Sequence, residues 1–246
     1  MSTIHYFDAN NSSMGSLGNL EKTINLQHLL ETSLPERTPQ WIADFLENID
    51  ECNLQLAEPE VAAANDGYAY MNVKTVDPET NFKAFVIRQS LKTILANGFG
   101  LVVNAHKEQP DWVFSHGDLL NLYLNDEFYT DESIFSEHGK DFVLPKDEKV
   151  LIGQPSEQIL PKETRQHIRE FLSYSGIRDA KVMLMVRNPE NEDLVSQDLV
   201  FNITPKMFAT QEAYIQVMNT LAWFLPRHYS IVGIDESSVD SGFDSI

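Results

Sequence analysis

The chain has 246 residues, 42% of them hydrophobic and 10% aromatic, which excludes an intrinsically disordered chain and allows one large domain or two ordinary ones. The 37 acidic and 18 basic residues give a formal net charge of -19, which disfavours nucleic acids and anionic membranes as partners. Such a charge is typical of solubility alone, and any partner it favours is a basic protein. The single cysteine, Cys52, excludes an internal disulfide framework and is typical of a reducing compartment.

The chain begins with a polar stretch, residues 1–18, which we expect to be flexible. It has no basic region followed by an apolar core, so it is not typical of a secretory signal, and we predict a cytoplasmic protein. The segment "LEKTINLQHLLET" predicts a helix with Leu20, Ile24 and Leu30 on its apolar face. A second helix follows, with Thr38 as its N-cap and a proline in its first position.

Strands and helices alternate through the rest of the first half. "CNLQLA" and "YAYMNVKTV" alternate like strands and flank the turn signal at 65–67, and Gly98 ends a helix that starts in "FKAFVIRQ". "FGLVVN" and "DWVFS" then predict strands, and "GDLLNLYLN" a short helix. Residues 19–145 therefore read as an acidic domain of mixed α and β structure, whose strand order the pattern leaves open. Residues 1–145 hold 22 acidic and 8 basic residues, a net charge of -14, against -5 for residues 146–246.

The second half has the regular order β-α-β-β-α-β. Its first helix starts near Pro161 and ends at Gly176, and its second is stopped by Pro226. For residues 146–236 this order predicts a split-βαβ, ferredoxin-like domain, with an antiparallel sheet and both helices on one face. The polar residues 237–246 predict a flexible tail. The predicted fold class is thus α+β, a mixed N-terminal α/β half followed by a split-βαβ half.

Two segments resemble the enhanced serine sensitivity protein B (SseB)-like family. They are "NGFGLVVNAHKEQPDWVFSHGDL" and "KVLIGQPSEQILPKETRQHIREFLSYSGIRDAKVML", and "EAYIQVMNTLAWFLPRHYSIVGID" fits the end of the same C-terminal domain. The resemblance covers residues 80–236 and leaves residues 1–60 without a counterpart. It implies a bacterial, cytosolic protein with no established reaction, and it supplies no catalytic residues to transfer.

The stretch "WVFSHGDLL" contains the residue types of a nucleophilic triad, Ser115, His116 and Asp118. Adjacent residues of an extended segment point to opposite faces, so Ser115 and His116 do not easily converge, and the G-x-S-x-G elbow is absent. A strand that ends in serine and passes into a capped helix explains these residues, and we favour that interpretation. The alternative is a polar site at His116 and Asp118 in a small-molecule-binding regulatory domain or a cryptic enzyme.

The stretch "NDEFYTDES" mixes carboxylates with large aromatic side chains. Such a mixture is typical either of a solvated acidic loop or of a contact surface for a basic partner, in which charge steers association and aromatics supply affinity. The candidate partner-binding residues are Asp126, Glu127, Phe128, Tyr129, Asp131 and Glu132.

Motifs for metal, phosphate or dinucleotide binding do not occur in the sequence. The seven histidines lack H-x-x-x-H and H-E-x-x-H spacing, and no G-x-x-x-x-G-K or G-x-G-x-x-G is present. We therefore predict no cofactor, no metal and no catalytic residue. The predicted function is that of a non-enzymatic cytoplasmic protein that binds a basic protein, one version being an immunity or inhibitor protein. Its oligomeric state stays open.

Overall fold

A computed structural model describes residues 17–77, 82–135, 150–187 and 195–246. In these ranges the chain forms six α-helices and two mixed sheets, so the predicted α+β class is confirmed. The chain divides into two compact units, the first ending at Leu119 and the second beginning at Leu120. The predicted boundary at 145/146 lies in a stretch outside the described residues, and the structure divides the chain 26 residues earlier.

The first unit contains three helices whose ends follow from their capping residues. They are α1 (Leu20–Leu29), α2 (Pro39–Ile49) and α3 (Ile87–Ala96). The Thr38 side chain accepts a hydrogen bond from the Trp41 amide at 3.2 Å, as the sequence predicts for an N-cap. Gly98, after α3, has a φ of 68°, a conformation that favours glycine.

The sheet of the first unit has four strands in chain order. They are β1 (Leu54–Ala63), β2 (Ala69–Thr75), β3 (Gly100–Val103) and β4 (Trp112–Phe114). β1 and β2 form an antiparallel hairpin, α3 connects β2 to the parallel strand β3, and β4 returns antiparallel. The core combines aliphatic strand residues with a cluster of rings in which Phe45 lies 5.1 Å from Trp41 and 5.0 Å from Trp112.

The face that α1 buries differs from the predicted one. Leu20 and Ile24 are 70% and 45% exposed, whereas Thr23 and Leu26 are buried. Thr23 is buried because its hydroxyl accepts hydrogen bonds from the backbone and side-chain amides of Asn53, at 2.9 and 3.0 Å. The predicted helix is confirmed, but its predicted apolar face is wrong.

The second unit starts within α4 (His116–Asn125), which crosses the division of the chain. Its other elements are β5 (Val150–Gly153), α5 (Lys162–Tyr174), β6 (Lys181–Arg187), β7 (Ser196–Phe201), α6 (Gln211–Phe224), β8 (Ile231–Gly233) and β9 (Asp244–Ser245). The β-α-β-β-α-β order is confirmed, and both helices pack on one face of the sheet. That core contains Ile168, Leu172, Val182, Leu199, Phe201, Val217 and Leu221.

The strand order of this sheet is not that of a split-βαβ domain. The strands lie in chain order, β5-β6-β7-β8, and the last pair, β7 and β8, is parallel. The first two pairs are antiparallel as predicted, but the parallel last pair makes the prediction of a wholly antiparallel sheet wrong. β5 and β6, which α5 connects, are direct neighbours, and α6 connects the parallel neighbours β7 and β8.

The predicted flexible tail, 237–246, is instead ordered against the sheet. β9 pairs antiparallel with β6, and the Ile246 amide donates to the Ala180 carbonyl at 3.2 Å. Ile246 is only 2% exposed, and Gln154 donates its side-chain amide to the Gly242 carbonyl at 2.6 Å. Burial of apolar residues at 243 and 246 stabilises this segment in spite of its polar composition.

Candidate functional site

Ser115 and Asp118 form a reciprocal cap at the start of α4. The Asp118 amide donates to Ser115 Oγ at 3.0 Å, and the Ser115 amide donates to Asp118 Oδ2 at 2.9 Å. This is the capping-box geometry, in which each side chain satisfies the other residue's backbone N–H. The predicted strand-to-helix interpretation is confirmed, and both side chains serve the helix end.

The candidate polar site at His116 and Asp118 is closed to solvent. Both residues are 0% exposed, although they lie at the start of a helix. A general base or a ligand-binding group must reach its substrate within hydrogen-bond distance. The burial of both side chains therefore gives a substrate no access to them in this structure.

The second candidate site, residues 126–135, directly follows α4 in the second unit, and we call it the acidic segment. Asp126 has a φ of 62°, in the left-handed region, and turns the chain away from the helix. The four carboxylates predicted to meet a partner all belong to exposed residues, Asp126, Glu127, Asp131 and Glu132.

Asn121 holds the first part of the acidic segment. This residue is 1% exposed, and its side-chain amide donates to the Glu127 carbonyl and to Thr130 Oγ1, both at 3.0 Å. The Thr130 hydroxyl in turn donates to Glu127 Oε1 at 2.5 Å. These bonds connect the exposed segment to a buried side chain, which reduces the number of conformations it can adopt.

Ring contacts and one backbone hydrogen bond hold the middle and the end of the acidic segment. The Arg227 guanidinium lies 4.4 Å from the centre of the Tyr129 ring, and the Phe135 ring stacks on Tyr229 at 4.2 Å. The Gln197 amide donates to the Ile134 carbonyl at 2.8 Å. Tyr229 donates its hydroxyl to the Ile159 carbonyl at 3.0 Å, and burial raises the pKa of this tyrosine. The segment is thus attached at both ends to the same unit.

The aromatic residues of the segment do not act as predicted. Phe128 is only 5% exposed, so it packs inside the protein, and its predicted role as a partner anchor is wrong. Tyr129 is half-buried beneath Arg227. The apolar side chain that the segment does expose is Ile134, at 57%, which the sequence pattern did not single out.

The acidic excess is not confined to one half of the molecule. Up to Leu119 the chain has 16 acidic and 7 basic residues, and from Leu120 onward it has 21 and 11. The net charges of the two units are therefore -9 and -10. The asymmetry expected from the sequence came from placing the acidic segment in the first domain, whereas it belongs to the second unit.

A buried charge network, missed by sequence reasoning, lies in the first unit around Asp111. Arg37 Nη2 contacts Asp111 Oδ1 at 2.6 Å, and the two side chains are 8% and 3% exposed. Lys107 Nζ and the Asn104 side-chain amide donate to Asp111 Oδ2 at 2.5 and 2.7 Å. Burial alone would raise the pKa of Asp111, but the hydrogen bonds from these three donors outweigh it and hold the pKa below its usual value.

Asn104 supports this network from an unusual backbone conformation. It is 1% exposed with a φ of 56°, and its side-chain oxygen accepts from the Thr75 amide at 3.0 Å. Buried residues in the left-handed region often mark functional sites. Here all three groups that surround Asp111 are used in internal bonds, so the network joins β2, the β3–β4 loop and the α1–α2 loop.

A second group of charges joins the ends of α1 and α2 to α3. Lys22 Nζ contacts Glu51 Oε2 at 2.6 Å, and Arg88 Nη2 contacts the buried Asp50 at 2.7 Å. Together with Arg37 and Lys107, four of the seven basic residues of the first unit are thus engaged with carboxylates. Many of its remaining carboxylates face solvent.

The described ranges contain neither a metal-binding cluster nor a reactive thiol. No group of three or more histidine, cysteine, aspartate or glutamate side chains is arranged there to hold a metal ion. Cys52 is buried, and burial raises the pKa of its thiol, which keeps it in the unreactive protonated form.

No helix in the described parts of the chain has both the length and the apolar character needed to cross a membrane.

Comparisons with models of known protein families, with curated proteins and with solved structures find no match for this chain.

Proposed function

We propose that this protein is a non-enzymatic binding protein of the cytoplasm, which contacts a basic protein partner through the acidic segment of its second unit. The observation that supports the proposal is the combination of four exposed carboxylates with a segment held at both ends. A surface that is ordered before association loses less conformational entropy on binding, so more of its interaction energy becomes affinity.

The chemistry of the segment defines the partner. Four carboxylates attract lysine and arginine side chains and accelerate encounter with a positively charged surface. The exposed Ile134 lies in the same segment and provides an apolar contact, which the basic partner meets with an aliphatic or aromatic side chain. An immunity or inhibitor protein that covers a basic cleft is one version of this function, and kinship with the SseB-like family, based on the two segments quoted above, is compatible with it.

The alternative function, a ligand-binding regulatory domain or an enzyme that uses His116 and Asp118, has less support. Both side chains are 0% exposed, and the Asp118 carboxylate caps α4. No observation on these two residues favours a substrate over a structural role.

Affinity capture from the cytosol of the source cell tests the proposal. The baits are the wild-type chain, a variant with Asp126, Glu127, Asp131 and Glu132 changed to lysine, and a control with Glu21, Glu31, Glu47 and Glu108 changed to lysine. The control residues are exposed and lie in the first unit, and both variants change the net charge by the same amount. We expect a stoichiometric basic protein with the wild type and the control, but not with the segment variant. Equal capture by all three baits would contradict the proposal.

A further inference from the structure

The sheet of the second unit is apolar on both faces. Val182 and Leu199 point to the face that α5 and α6 cover. Their neighbours in the same strands, Met183, Met185 and Val200, point to the opposite face and are at most 1% exposed. We call these three residues the methionine face. Because they are buried on the side of the sheet away from the helices, another part of the chain must cover them.

Residues 235–246, which we call the terminal strap, supply this cover with few side chains. In the described ranges, the side chains packed against the methionine face belong to neighbouring strands, to the residue after β8 and to the strap, which contributes Val239 and Phe243. Ile246 is 2% exposed and reaches the core on the helical side of the sheet. Apart from these three residues and Gly242, every residue of the strap is exposed. Three apolar side chains therefore anchor a segment of twelve residues.

The terminal strap also adds a short strand to an edge of the sheet. β9 pairs with Lys181 and Val182 of β6, on the edge where β5 pairs from residue 184 onward. Just before β9, Gly242 passes so close to β5 that a Cβ atom there would lie 2.2 Å from Ile152 Cγ2. Backbone pairing at a sheet edge, combined with apolar positions for alternate side chains, is how a sheet binds an extended peptide. The strap is thus bound in the manner of a peptide ligand.

Two cations meet carboxylates of the terminal strap. Arg169 donates through Nε to a carboxylate oxygen of Ile246, and Lys181 Nζ contacts Glu236 Oε1 at 2.5 Å. The side chains of Lys181 and Glu236 are 33% and 46% exposed, and surface pairs of this kind contribute little to stability. These contacts select a segment that carries carboxylates, although they do not hold it firmly.

Release of the terminal strap requires the loss of few interactions. The two pairs of β9, three apolar anchors and exposed polar contacts hold it, so its local opening costs less free energy than unfolding of the unit. Opening uncovers the methionine face together with the adjacent edge of β6. Contiguous apolar surface of this kind is typical of interaction sites, and methionine side chains adapt to different partners.

We propose that the terminal strap is an internal ligand of a peptide-binding face, and that an extended segment of a partner protein replaces it. The segment carries apolar side chains at the spacing of Val239, Phe243 and Ile246, and carboxylates that meet Arg169 and Lys181. The net charge of -19 makes a second copy of the chain a less favourable occupant than a segment with few charges. This surface lies outside the acidic segment and does not depend on the proposed function.

Fluorescence anisotropy with a dye-labelled synthetic peptide of residues 235–246, titrated with the full chain, tests this inference. The wild type should bind the peptide weakly, because its own strap is present at a high effective concentration. Phe243→Ala in the full chain should raise the affinity for the peptide roughly tenfold or more, because a larger fraction of molecules then has the face open. The same substitution in the peptide should lower the affinity by roughly the same factor, since it removes the largest anchor.

Ser241→Ala, at an exposed position of the terminal strap, is the matched control and should change the affinity less than about twofold in the chain or in the peptide. Val239→Ala removes a smaller anchor and should act in the same direction as Phe243→Ala, and thermal unfolding shows that each variant is folded. The inference is overturned if neither anchor variant of the chain binds the peptide saturably, or if Ser241→Ala raises the affinity as much as they do. Sedimentation that shows Phe243→Ala forming a dimer, which the peptide dissociates, would overturn the choice of a partner protein and assign the face to a second copy.

Discussion

Carboxylates act differently in two regions of this molecule. In the first unit, Asp111 is 3% exposed in its side chain and surrounded by Arg37, Lys107 and Asn104. In the second unit, the acidic segment exposes its carboxylates to solvent on a backbone that internal bonds hold in place. The first arrangement stabilises the fold, because a buried charge needs its partners, whereas the second leaves charge available to another molecule. Acidity alone therefore does not identify a contact surface, and burial separates the two roles.

The largest effect should follow from breaking the buried network. Asp111→Asn leaves Arg37 without its buried counter-charge, and we expect a loss of about 3–5 kcal/mol in the free energy of unfolding. Urea unfolding followed by tryptophan fluorescence measures it, since Trp41 and Trp112 lie in the first unit. The exposed neighbour Glu108, changed to Gln, is the control and should cost less than about 0.5 kcal/mol. A loss below about 1 kcal/mol for Asp111→Asn would contradict the role assigned to this network.

Low pH should remove the contribution that the charge of Asp111 makes to the free energy of unfolding. The folded-state pKa of Asp111 lies below its usual value, so its contribution is complete above about pH 4, the ordinary aspartate pKa, and is lost as pH falls through the lowered folded-state value. We expect the difference in unfolding free energy between wild type and Asp111→Asn to shrink as pH falls below about 4. A difference that stays constant from pH 6 to pH 2.5 would show that the charge of Asp111 does not provide the stability.

An intermediate effect should follow from releasing the acidic segment. Asn121→Ala removes the donors to Glu127 and Thr130, and we expect a loss of about 1–2 kcal/mol, typical of buried hydrogen bonds. The amides of residues 127–134 should then exchange with solvent faster. The same substitution at Asn219, exposed on α6, is the control and should leave both stability and exchange of this segment unchanged. Unchanged exchange in Asn121→Ala would contradict the account of how the segment is held.

A smaller effect should follow from removing the cap of α4, the helix that leads into the acidic segment. Ser115→Ala deletes the acceptor for the Asp118 amide, and we expect a loss of about 1 kcal/mol. Ser173→Ala, at an exposed position within α5, is the matched control and should be neutral or slightly stabilising, since alanine favours helices. Equal stability of the two variants in thermal unfolding would show that the cap contributes nothing.

Local features of the fold were predictable from the sequence because they depend on neighbouring residues. The Thr38 cap, the glycines at 98 and 176 and the polar turn before α4 each act within a few positions of the chain. The strand order was not predictable in the same way. Pairing of β7 with β8 joins residues about 30 positions apart, and the alternating pattern of a strand does not encode its neighbour.

The buried network around Asp111 and the acidic segment likewise depend on contacts between distant residues, which sequence patterns do not predict. Arg37 and Asp111 lie 74 positions apart, and no spacing rule connects them. In the acidic segment, the sequence identified the four exposed carboxylates but assigned Phe128 to the surface, since an aromatic residue among charges looks the same whether it packs inside or outside. Burial is decided by elements distant in sequence, and for this reason the pattern also missed Ile134.

Association rate against ionic strength, measured with the captured partner, tests whether the acidic segment forms the contact surface. We compare the wild type with the two four-site lysine variants, in the acidic segment and at Glu21, Glu31, Glu47 and Glu108 of the first unit, after confirming that each change costs less than about 0.5 kcal/mol in stability. We predict that the segment variant associates at least about tenfold more slowly at low salt and with a flatter salt dependence, whereas the control stays close to the wild type. Equal rates and equal salt slopes for the two variants would contradict it and leave the acidic segment without a role in binding.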